Sequence, residues 1–86
     1  MRIPNKLKIG GRIFDVREVV GLVDNGNFKE SGHNTILLDA ELNQESRELA
    51  FFHEVLHSLN NQLDDRDVEW MAQGIYQVLK DNNLLK

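Results

Sequence analysis

Asn43-Gln44-Glu45-Ser46-Arg47-Glu48-Leu49-Ala50-Phe51-Phe52-His53-Glu54-Val55-Leu56-His57-Ser58-Leu59 is the stretch at which the chain changes its hydrophobic period. Leu49, Phe52, Leu56 and Leu59 recur at three- and four-residue spacing, which lays an apolar stripe along one side of a helix. Asn43 has the side chain of an N-cap, and Glu45 in the first turn suits the positive end of the helix dipole. The spacing predicts a helix over about 43–60, with Asn60 and Asn61 at its end. After a break around Asn60 to Asp65, a second helix is expected over about 65–82, with Val68, Ala72, Ile75 and Leu79 on one face.

The residues before Asn43 follow the period of strands. Leu7 and Ile9 alternate with lysines, and Gly10-Gly11 signals a two-residue hairpin, whose turn needs the positive φ that glycine adopts without strain. The partner strand is expected from about Arg12 to Leu22, with Phe14 and Val16 facing inward and Asp15 and Arg17 facing water. Asp24-Asn25-Gly26-Asn27 reads as a turn and Glu30-Ser31-Gly32 as more polar loop. A third strand follows at about Asn34 to Leu38. Strands over about 6–39 and then two helices make residues 1–86 one α+β domain, with a three-stranded antiparallel sheet packed on the helices.

Composition narrows the chemistry. With 86 residues the chain is near the lower end of what folds alone, where a metal or a partner often adds stability. Hydrophobic residues at 41% and charged residues at 28% fit a soluble domain, and no apolar run is long enough to span a bilayer. The opening Met1-Arg2-Ile3-Pro4-Asn5-Lys6 lacks the features of a signal peptide, so a cytoplasmic location is expected and no membrane partner. A formal charge of −4 argues against nucleic acid, which needs a basic face; Arg2, Lys6, Lys8 and Arg12 read as a solvated face. Zero cysteines exclude disulfides, thiol catalysis and thiolate metal sites together. Any metal must be held by histidine and carboxylate.

His53 and His57 meet that requirement. Four residues apart on a helix, they project from one face about a turn apart and can reach one tetrahedral ion. Glu54 follows the first of them, where a carboxylate can act as general base toward metal-activated water. The His53-Glu54-Val55-Leu56-His57 motif is among the more specific short patterns, and it lies within a strong helical pattern beside Phe51-Phe52 and Val55-Leu56. Its plain alternative is two surface histidines on an amphipathic helix.

A third ligand is still needed. Glu69, three and seven residues before Ala72 and Tyr76, lies at the edge of the second helix's buried face, where an unpaired carboxylate would be costly to desolvate. Its plain alternative is an exposed first-turn Glu favoured by the helix dipole. Asp64, Asp65 and Asp67 compete but read as capping residues, and His33 in a Gly-flanked loop reads as solvent-facing. Tyr76 could donate to a tetrahedral intermediate, though a tyrosine packed on the first helix is the stronger reading. Trp70 lies off the apolar stripe and would cover the strands or sit exposed at a partner surface, while Gly74 reads as a point of close helix packing.

With these motifs the chain resembles the small HExxH proteins of bacteria and their phages related to the ImmA/IrrE-type metallopeptidases. The resemblance runs through Lys6-Leu7-Lys8-Ile9-Gly10-Gly11, Thr35-Ile36-Leu37-Leu38-Asp39, the Phe52–His57 motif and the segment from Val68 to Asn82. It implies a minimal zincin-like fold and a gluzincin-type Zn2+ site. His53, His57 and Glu69 would be ligands and Glu54 the base, with an extended peptide lying along the third strand. Where many gluzincins carry an acidic residue four positions after the ligating Glu, this chain has Gln73, so another group must orient an imidazole N–H.

The expected function is zinc-dependent peptidase action on a peptide or protein substrate in a bacterial cell. The alternative is a metal-stabilised protein-binding module without turnover, since structural zinc can contribute on the order of 10 kcal/mol to small domains. A metal-free interaction domain is the third. Few residues remain to wall a cleft, so a homodimer or a protein partner would complete it.

Overall fold

The computed structural model describes residues 1–21 and 34–85. The turn expected at Asp24–Asn27, the loop at Glu30–Gly32, His33 and the expected strand end at Leu22 lie outside these residues. Strand β1 (Lys6–Ile9) turns through Gly10-Gly11 into β2 (Arg12–Val19), and β3 (Thr35–Asp39) completes the sheet in the order β1-β2-β3. Gly10 at φ 55° and Gly11 at φ 82° give the two positive dihedrals of the tightest hairpin turn, and Ile9 pairs with Arg12 across it.

The sheet is mixed. β1 and β2 are antiparallel, but β2 and β3 run parallel, with Val16 beside Ile36 and Glu18 beside Leu38. This corrects the expectation of an all-antiparallel sheet. A parallel return needs a connection of about a dozen residues or more, and the segment between Val19 and Thr35 is long enough to supply it. The inward residues are the same in either direction, because alternation specifies the face of a strand and not its polarity. Phe14, Val16, Ile36 and Leu38 point into the core with Ile9, and Leu38 is only 1% exposed.

Helix α1 (Gln44–Leu59) covers this face of the sheet, and α2 (Asp65–Asp81) packs on α1. Asn43 caps α1, its side-chain oxygen accepting the Ser46 N–H at 2.8 Å, and Asp64 caps α2 by accepting from Asp67 at 2.9 Å. Because α1 lies between the sheet and α2, it needs two apolar sides. Phe51, Ala50 and Val55 join the sheet core, whereas Phe52 meets Tyr76 of α2 with ring centroids 6.0 Å apart. Leu59, expected in the stripe, is exposed at the last position of α1.

The buried row of α2 also departs from expectation. Val68, Ala72 and Tyr76 are buried, while Ile75 is exposed with Met71 and Val78. The row 68-72-76 is favoured because Tyr76 brings both an aromatic body and a hydroxyl that finds a partner. Its O–H donates to Glu48 Oε1 at 2.7 Å. Glu48 is 5% exposed and was not foreseen among the site or core residues. Burial alone would raise its pKa; hydrogen bonds from Gln44, Tyr76 and the Met1 ammonium outweigh that and hold the carboxyl at about 2. Gly74 does not serve close packing, since a Cβ built there would meet nothing within 4 Å. Trp70 is 77% exposed.

Candidate metal centre

The short turn between Leu59 and Asp65 folds α2 back along α1, so the start of one helix faces the end of the other. Residues four apart on each helix then meet in reverse order. His57, in the last turn of α1, meets Asp65, the first residue of α2; His53, one turn earlier, meets Glu69, one turn later. The two imidazoles stack edge to face, with centroids 4.8 Å apart and planes at 64°. Both side chains are partly buried.

The two carboxylates engage different ring atoms. Asp65 Oδ1 stands 2.7 Å from Nε2 of His57 and 3.9 Å from Nε2 of His53, so one oxygen lies against the same atom of both rings. Glu69 Oε1 stands 3.0 Å from Nδ1 of His53, on the other side of that ring. An ionised carboxylate only accepts, so a neutral His53 donating to Glu69 would do so from Nδ1 and leave the Nε2 lone pair for a cation. Gln73 donates to Glu69 Oε2 at 2.8 Å, which holds the carboxylate in place.

Sequence reasoning named His53, His57 and Glu69 as ligands and read Asp65 as a capping residue; the structure places Glu69 against Nδ1 of His53 and Asp65 beside both Nε2 atoms. The cap is Asp64, and Asp65 belongs to the histidine cluster. The available signal was the matched spacing of His53/His57 and Asp65/Glu69 on either side of a tight turn.

His53, His57 and Asp65 form a group that could hold a divalent ion. The nearest nitrogen and oxygen atoms of His53, His57 and Asp65 lie within 4.8 Å of one another. Two donors on a tetrahedral zinc stand about 3.3 Å apart, given bonds of about 2.0–2.1 Å, and the separations of 2.7 and 3.9 Å bracket that value. Two imidazoles with carboxylate oxygen and no thiolate is the donor set of zinc sites that do hydrolytic chemistry.

A cleft of about 210 Å3 adjoins the cluster, lined by Ser46, Leu49, Ala50, His53, Glu54 and Glu69. Burial pushes the Glu54 carboxyl above its ordinary range, with His53 and His57 pulling it back and the negative Asp65 adding to the rise. Glu54 thus faces the cleft as a base of raised proton affinity, beside the histidine pair. Tyr76 is not part of this site, being engaged with Glu48. Compared with protein-family models, with curated proteins and with solved structures, the chain matches none.

Proposed function

We propose that the protein is a zinc-dependent metallopeptidase that hydrolyses peptide bonds in an extended peptide or protein segment. The observation that carries the proposal is the convergence of Nε2 from His53 and His57 on a carboxylate of α2, with Glu54 in the adjoining cleft. His53 and His57 would hold the ion with a third ligand from α2, Glu69 being the one that the family resemblance implies. Zinc bound there would polarise a carbonyl and lower the pKa of a coordinated water toward about 7.

The chain's own groups account for the rest of the reaction. Glu54, whose raised proton affinity suits the task, accepts the proton of the attacking water on a carboxylate oxygen and delivers it to the leaving nitrogen. Leu49 and Ala50 provide the apolar wall that limits water around that transfer. Glu69 contacts Nδ1 of His53, and Gln73 donates to its other oxygen. β3 is an outer strand of the described sheet, and its backbone would pair with an extended substrate.

The test is Glu54→Gln, assayed with a peptide library alongside zinc analysis of untagged protein. Hydrolysis should fall by at least about 100-fold, the scale of general-base catalysis, while about one zinc per chain is retained. Unchanged hydrolysis with the metal still bound refutes the mechanism. A second reading, a metal-stabilised binding module without turnover, is supported by the position of the cluster, which ties the start of α2 to the end of α1.

A further inference from the structure

We propose that Asp65, not Glu69, is the third protein ligand of the metal, and that Glu69 is a positioning residue acting through the His53 ring. The inference rests on the metal-site reading above and concerns which carboxylate completes it.

The argument is one of ring geometry. An imidazole presents its two nitrogens on different sides, so a group hydrogen-bonded to one cannot also share an ion held by the other. Glu69 Oε1 lies 3.0 Å from Nδ1 of His53, the side away from the atom that faces His57's partner. The oxygen facing Nε2 of both rings is Asp65 Oδ1. Glu69 is committed on its other oxygen as well, accepting from Gln73 at 2.8 Å, so moving it into the cluster would break two hydrogen bonds. Among the described residues, Asp65 is engaged with the two histidines alone. Its carboxylate is 87% exposed, and the capping of α2 is done by Asp64. A cation between Asp65 and the two Nε2 atoms would replace a carboxylate–imidazole contact with coordination to the same three atoms. Glu69 meanwhile keeps Nδ1 of His53 protonated, which is what sets Nε2 as the donor.

The assignment also accounts for Gln73. An acidic residue there would place a second negative charge beside Glu69, whereas the amide donates to it and holds its free oxygen.

The experiment measures zinc affinity by competition with a chelating dye for Asp65→Ala, Glu69→Gln and His57→Ala, with metal-free melting curves to confirm the fold. Ring-nitrogen NMR of the zinc-loaded wild type then identifies the bound atoms. Loss of a hydrogen-bonded supporting carboxylate typically weakens zinc by about 10–100-fold. Glu69→Gln should fall within that range and Asp65→Ala should exceed it. NMR should show zinc on Nε2 of both rings, with a protonated Nδ1 on His53. Asp65→Ala binding zinc as tightly as Glu69→Gln, or tighter, overturns the assignment, as does zinc on Nδ1 of His53. Either result leaves the metal-site reading standing provided His57→Ala abolishes binding. Wild-type affinity in His57→Ala overturns both. The NMR measurement needs no variant, so it decides the matter even if a substitution disturbs α2.

Discussion

Tyr76→Phe should destabilise the protein more than the loss of one oxygen atom suggests, and by an amount that depends on pH. The Tyr76 hydroxyl donates to Glu48 Oε1 at 2.7 Å between α1 and α2, where the carboxylate is 5% exposed. Hydrogen bonds to charged groups are worth about 1.5–3 kcal/mol. Glu48 would keep Gln44 at 2.7 Å and the Met1 ammonium at 2.9 Å, so the lower part of that range applies. A loss of about 1.5–2 kcal/mol in a domain of this size lowers Tm by roughly 6–15 °C.

The pH dependence follows from Glu48. Its folded pKa of about 2 lies below the ordinary 4.5, so its stabilisation is complete above the ordinary value and is lost as pH falls toward 2. The whole depression is worth at most about 3.5 kcal/mol, and removing one donor gives up part of it. The gap between wild type and Tyr76→Phe should thus be widest above about pH 5 and narrow steadily toward pH 3. Melting curves by circular dichroism from pH 7 to 3 read this directly. In a Glu48→Gln background the tyrosine should contribute only the ~0.5–1.5 kcal/mol of a neutral pair. A Tm change under about 2 °C at pH 7, or a gap that does not vary with pH, would refute the reasoning.

Three further outcomes are expected. Gly74→Ala should raise stability by about 0.5–1 kcal/mol, since the new methyl meets nothing in α2's exposed face; a lower Tm would contradict that openness. Leu38→Ala, at the most buried point of β3, should cost about 2–5 kcal/mol in denaturant titrations, and a cost under 1 kcal/mol would mean that the sheet–helix core is misplaced. Zinc at about a hundred times its dissociation constant should stabilise the fold by about 2.7 kcal/mol, read as a rise in Tm that His57→Ala abolishes.

What could be read in the sequence was what depends on neighbours in the chain. The Gly10-Gly11 hairpin, the cap at Asn43 and the pairing of His53 with His57 all follow from spacings of a few residues. The direction of β3 could not be read, because Ile36 and Leu38 face inward whichever way the strand runs. The packing of Tyr76 on α1 was expected, but the exposure of Ile75 was not. Both continue the row from Val68 and Ala72 at helical spacing, and the deciding contact comes from Glu48 on another helix. Glu48 itself looks like any solvated helical glutamate until donors from Gln44, Tyr76 and Met1 are assembled around it. Asp65 was legible as a competing ligand or a cap, and the spacing that matches it to His57 gains its meaning from the tight turn between the helices.

The same turn links the site to the stability of the domain. On its inner side α2 buries Val68, Ala72 and Tyr76, and its outer side leaves Met71, Ile75 and Val78 exposed, so apolar contact holds it to α1 along one narrow row. The His53–Glu69 and His57–Asp65 contacts tie the first two turns of α2 to α1 beside that row. An ion bound among them would therefore brace the helix pair as well as serve catalysis, and free energy of binding would become free energy of folding. Chelation must then lower Tm whether the protein is a peptidase or a binding module, and cannot separate the two. Glu54 can separate them. It belongs to the cleft beside His53, and its burial is unfavourable to its charged form, which a purely structural site has no reason to retain. Exchanging it for Gln should leave the metal and the brace intact and, in a peptidase, remove the proton acceptor alone.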